Sequence, residues 1–95
     1  PEVYLAQLGE LAKKKSLKIF QRLEKAGVMV AESFGRGSLK AQLRQADQMK
    51  IDLVLIIGQR EALDETVIFK DMKSGSQETV SFEKAVLYVK KRLKS

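Results

Sequence analysis

Residues 53–58 read LVLIIG, five aliphatic side chains in succession closed by a glycine. Nothing in the run alternates, so a strand built from it has no solvent face and needs cover on both sides. That is the pattern of a sheet held between layers of helix. The flanking sequence agrees. VYLAQLG (3–9) is a short apolar run ending in glycine and reads as a first buried strand. From Glu10 to Ala26 the apolar residues recur at helical steps, with Ala12, Ser16, Ile19 and Leu23 forming one stripe beside Leu11 and Phe20. Gly27 stands where a helix-stopping glycine would. VMVAE (28–32) is a second strand, and Ser38 is a good cap for a second helix whose inward stripe is Leu39, Leu43 and Ala46.

After Gly58 the pattern changes. ETVIFKD (65–71) and QETVSF (77–82) read as two strands joined through Ser74-Gly75. Ser81 then caps a closing helix with Glu83 in its first turn and a stripe of Phe82, Val86, Val89 and Leu93. The predicted order is βαβαβββα: three strands joined by crossover helices, which must run parallel, and a terminal hairpin that makes the sheet mixed. The fold class is α/β, in three layers, with five strands and three helices in a single domain over residues 1–95.

The chain has 95 residues, no cysteine, no histidine and a net charge of +6. Disulfides, thiolate metal sites and cysteine nucleophiles are excluded, and the commonest general base and metal ligand is missing. No Ser/His/Asp set or metal-ligand cluster is present, and no apolar run reaches the roughly 18 residues of a membrane span. No catalytic site is expected in this chain. Its positive charge points to a polyanion or an acidic protein surface. The first residue is Pro1 rather than methionine, as expected of a piece trimmed from something longer.

Four stretches are candidates for binding. SFGRGSLKAQLRQAD (33–47) places two glycines before a helix, but Ser38 precedes Lys40, the reverse of a Walker loop. The three-glycine dinucleotide fingerprint is also absent. What remains is either a tight turn into a capped helix or a small basic patch of Arg36, Lys40 and Arg44. GQRE (58–61) follows the buried strand, where ligands gather in open α/β sheets, and Gln59, Arg60 and Glu61 all make directional hydrogen bonds. A polar surface loop reads equally well. In FKDMKSG, Lys70 and Asp71 are either an exposed pair or charges presented toward the binding edge. The terminal KKRLK (90–94) complements the dipole of its helix as readily as it makes an RNA patch.

Taken in order, LK.QL..AD, the apolar strand ending in glycine, the G..E loop and KDM.SG.Q (70–77) resemble the C-terminal anticodon-binding domain of class II aminoacyl-tRNA synthetases. The last motif points more narrowly to the histidyl enzymes, with Met72 standing where leucine is usual. The resemblance covers nearly the whole chain. It implies a five-stranded mixed sheet packed with three helices, and binding of a tRNA anticodon stem-loop. Carried onto matching positions, Glu61 and Lys70 would contact anticodon bases or their phosphates. Arg36 and Lys50 would lie on the same surface, with Lys40 and Arg60 in support. The resemblance implies no cofactor or metal in this domain. ATP and magnesium would belong to the parent, a cytoplasmic homodimer that joins histidine to its tRNA, with no membrane partner. The alternative is an anticodon-domain paralogue serving a regulatory protein as an RNA- or protein-interaction module.

Overall fold

The computed structural model describes residues 2–32 and 37–94. Residues 33–36, and with them the glycine turn and Arg36, lie outside the described residues, as do Pro1 and Ser95. The elements run β1 (Val3–Gln7), α1 (Glu10–Lys25), β2 (Val30–Glu32), α2 (Leu39–Gln48), β3 (Leu53–Ile57), α3 (Gln59–Asp64), β4 (Thr66–Asp71), β5 (Gln77–Ser81) and α4 (Phe82–Lys94). They form one five-stranded sheet in the order β2-β1-β3-β4-β5. The first three strands are parallel and the last two antiparallel to their neighbours.

β3 is buried along its whole length, and its side chains divide between two cores. Leu53, Leu55 and Ile57 join Ala12, Ile19, Leu23, Ala62, Phe69, Phe82 and Val89 beneath α1, α3 and α4. Val54 and Ile56 join Tyr4, Ala6, Ala46 and Ile51 beneath α2. Each large aliphatic side chain so buried contributes about 1.5–3 kcal/mol, which is why an unalternating strand settles only in the middle of such a sheet. The α1 stripe is as read: Ala12, Ser16, Ile19 and Leu23 are its buried residues.

Several details refine the expected pattern. Among the described residues there are four helices, not three, because GQRE opens α3 rather than a loop. The Gly58 backbone N–H donates to Glu61 Oε1 at 2.8 Å, satisfying one orphan donor of the first turn, while Ala62 enters the core. A Cβ on Gly58 would stand 2.8 Å from that carboxylate oxygen, so glycine keeps the cap open. In α4 the buried stripe is Phe82, Ala85 and Val89, with Val86 half-buried and Leu93 exposed. Ser81 ends β5, directly before the helix. In α2, Leu39 and Leu43 pack half-buried against the second core as read, Ala46 is buried, and Gln42 is buried with it. β2 also begins at Val30, two residues later than the apolar run.

α1 and α2 end in the same way. After α1, the N–H groups of Gly27 and Val28 donate to the carbonyls of Glu24 and Leu23, each at 3.0 Å. After α2, Lys50 and Ile51 donate to Asp47 and Ala46, also at 3.0 Å. This Schellman closure needs a left-handed residue. Gly27 supplies it at φ 83° without strain, whereas Lys50 is forced to φ 59°. Lys50→Gly is therefore expected to raise stability by about 1 kcal/mol, seen as a melting temperature roughly 4–8 °C higher. An unchanged melting temperature would mean that Lys50 holds this conformation without strain.

Candidate nucleic-acid interface

The layers are unequal. The second core lies under α2 and draws on β1, β3 and α2 itself. The sheet continues past β3 to β4 and β5, where Gln77, Thr79 and Ser81 are exposed. Register settles which residues share this face. Val54, on the α2 side, is opposite Lys70, and Ile56 is opposite Ile68. Lys70 is in turn opposite Gln77, Ile68 opposite Thr79, and Thr66 opposite Ser81. Beside α2 the sheet thus presents an open shelf of three cross-strand pairs.

Adjacent residues in β4 point to opposite faces. Lys70 stands on the shelf, while Asp71 turns toward α4. There Asp71 Oδ1 accepts from the N–H groups of Lys73 (2.9 Å) and Ser74 (3.2 Å), and Oδ2 accepts from Arg92 at 3.0 Å. Those backbone hydrogen bonds, and then the Arg92 charge, hold the Asp71 carboxyl below its ordinary range. Arg92 also donates to the Tyr88 hydroxyl at 3.0 Å, and that hydroxyl donates to Glu78. The Glu78 hydrogen bond pushes the Tyr88 hydroxyl above its usual pKa. The two readings of Lys70 and Asp71 are thereby separated: Asp71 pins the hairpin turn to α4. Among the described residues, the Lys70 ammonium and the Gln77 amide have no hydrogen-bond or ion-pair partner. The terminal basic cluster divides too, with Arg92 built into this network and Lys90, Lys91 and Lys94 exposed.

The other candidates fall at two ends of the sheet. Arg60 and Glu61 open α3 after the carboxyl end of β3, and Lys40 lies in the first turn of α2. Arg60 pairs loosely with Asp64 at 3.9 Å, both of them exposed. Such a pair contributes about 0–1 kcal/mol. Lys40 is exposed and opposes the dipole of its helix by about 0.3–1 kcal/mol, so helix stability does not account for it. Lys50 lies past the far end of α2, about 15 Å of helix from Lys40. Lys70 is four residues along β4 from Thr66, roughly 13 Å from the end where α3 begins. The candidates are spread around α2 and along the shelf rather than gathered in a pocket, a layout suited to an extended ligand.

Among the described residues no three potential metal ligands come together, and no helix is long and apolar enough to cross a membrane. One buried polar group escaped the sequence reading. Gln42 Oε1 accepts from the Gln7 N–H at 2.9 Å, and its Nε2 donates to the carbonyls of Gln7 (2.9 Å) and Gly37 (3.1 Å). Periodicity could not reveal it, since a glutamine on an apolar stripe carries no sign of the backbone it will meet.

Comparison with known proteins gives this layout a family. A histidine–tRNA ligase of Dehalococcoides mccartyi is 32% identical over 93 residues, spanning 98% of this chain and 22% of that protein. One from a Geobacillus species is 34% identical over 92 residues, spanning 97% of this chain and 22% of the relative. The chain therefore spans about a fifth of the length of these relatives. The crystal structure of a histidyl-tRNA synthetase from Nostoc superposes with a TM-score of 0.88 at 30% identity, over 97% of this chain and 22% of that one. The RNA-binding domain of a threonyl-tRNA synthetase from Cryptosporidium parvum, at 17% identity and a TM-score of 0.82 over 92% of this chain and 22% of that one, shares the fold. A family model described as an anticodon-binding domain matches residues 2–92, and the chain belongs to that family.

Proposed function

We propose that this chain recognises the anticodon of a histidine-accepting tRNA on behalf of a histidine–tRNA ligase. The observation that carries the reading is its similarity to histidine–tRNA ligases along nearly its whole length. The open shelf adds support, because unpaired bases splayed from a loop are read on their edges by side chains on such a surface. In this reading Lys70 and Glu61 meet anticodon bases or their phosphates, and Arg36 and Lys50 lie on the same surface with Lys40 and Arg60 in support. Glu61 Oε1 is already engaged by the Gly58 N–H, so Oε2 is the oxygen left for a base. The ATP- and magnesium-dependent joining of histidine to tRNA, the homodimer and the cytoplasmic setting belong to the parent protein in the same proposal.

The test compares binding of the intact protein to histidine tRNA and to the same tRNA with its anticodon exchanged, at fixed salt. Tighter binding of the first by tenfold or more is expected, since each well-made base contact discriminates by about 1–3 kcal/mol. Equal affinities would remove anticodon recognition and leave the paralogue reading, an interaction module on the same fold.

A further inference from the structure

We infer that Gln77 is a specificity-determining residue that reads a nucleobase edge beside Lys70; the inference rests on the anticodon reading above. The residues lie directly opposite one another on β4 and β5, on the side of the sheet that holds Val54. Side chains so paired have Cβ atoms about 4.5–5.5 Å apart, so the amide and the ammonium reach the same nucleotide. Neither has a partner among the described residues, and Gln77 is exposed. Its neighbour Glu78 points the other way and takes the Tyr88 hydroxyl.

The composition of the shelf selects the mode of reading. Its residues on β3, β4 and β5 are Val54, Ile56, Thr66, Ile68 and Lys70 with Gln77, Thr79 and Ser81 opposite, and none is aromatic. A surface that holds single strands without regard to sequence relies on aromatic stacking, which these shelf residues cannot supply. What it offers is an amide, which donates and accepts at once, beside a cation that only donates. A glutamine amide matches a base edge carrying a donor next to an acceptor, and the ammonium matches an acceptor or a phosphate. Gln77 therefore carries discrimination, while Lys70 carries charge. The hairpin keeps the pair in register, because Asp71 ties its turn to Arg92.

The experiment uses the intact protein, its Gln77→Ala and Gln77→Glu variants, and anticodon stem-loop RNAs bearing either the histidine anticodon or an exchanged one. Affinities are measured across a salt series, with thermal melting as the check on folding. Both variants are expected to melt with the wild type, since residue 77 is exposed. Gln77→Ala is expected to cut the preference for the histidine anticodon by about tenfold while leaving the salt slope unchanged. Gln77→Glu removes both donors and is expected to lose the preference as well. If the wild type discriminates and Gln77→Ala discriminates equally, Gln77 is not a reader. A wild type that does not discriminate overturns the anticodon reading itself, and this inference with it.

Discussion

Replacing Gln42 by leucine is expected to destabilise the chain by about 3 kcal/mol, lowering its melting temperature by roughly 15 °C. The cause lies in what Gln42 does for the backbone of Gln7. Among the described residues β2 pairs with β1 at Val3, Tyr4 and Leu5, and the partner of the Gln7 backbone on that side is the Gln42 side chain. The Gln42 amide bonds both backbone groups as a strand would, its Oε1 accepting from the Gln7 N–H and its Nε2 donating to the Gln7 carbonyl, each at 2.9 Å. Gln7 and Gln42 are both buried, so a leucine at position 42 strands a donor and an acceptor where water cannot reach them. Each stranded group costs about 1–3 kcal/mol, and the apolar contacts of leucine offset only part of that. Nearby, the Gln7 amide donates to Glu32 at 3.1 Å, and burial pushes that carboxyl above its ordinary pKa. Gln42→Glu is expected to do no better than leucine: it keeps an acceptor but loses the donor to the Gln7 carbonyl and buries a charge. Thermal or urea denaturation measures both, and hydrogen exchange at the Gln7 amide reports the bond itself. A leucine variant melting within a degree or two of the wild type would show that Gln42 contributes no net stability.

The parts of the fold legible in the sequence are those set by one strong local signal. The unalternating LVLIIG could only be a strand covered twice, and the α1 stripe repeats often enough to leave no other phase. Ser38 was readable as a cap because its hydroxyl meets the Ala41 N–H, a contact within its own turn. The missed parts depend on partners far away in sequence. α3 has six residues, too few to display a period, and exists because Glu61 closes its first turn and Ala62 finds the core. The α4 stripe passes through Ala85, whose small side chain fits close to the sheet, where composition favoured Val86 and Leu93. Likewise, GQRE and KDM could be singled out by residue type. Only strand register separates Lys70 on the shelf from Asp71 under α4.

That separation makes Lys70→Glu the sharpest probe of the shelf. In the wild type the ammonium has no carboxylate partner among the described residues, so its charge is available to a ligand. Reversal removes one favourable contact and places a like charge against the phosphates of the bound strand. Binding of the intact protein to histidine tRNA is expected to weaken by about a hundredfold at low salt, and by less as screening rises. Lys70→Ala removes the attraction without adding repulsion, so it should weaken binding by about tenfold. If the contact is to phosphate, the salt slope falls by about one; if it is to a base edge, the slope holds and the anticodon preference falls. Lys90→Glu, on the exposed face of α4, is the control for net charge alone and is expected to weaken binding only slightly. Equal losses from Lys70→Glu and Lys90→Glu would mean that the tRNA senses the overall charge of the domain rather than the shelf. A larger loss at Lys70 places the RNA on the open half of the sheet, beside α2.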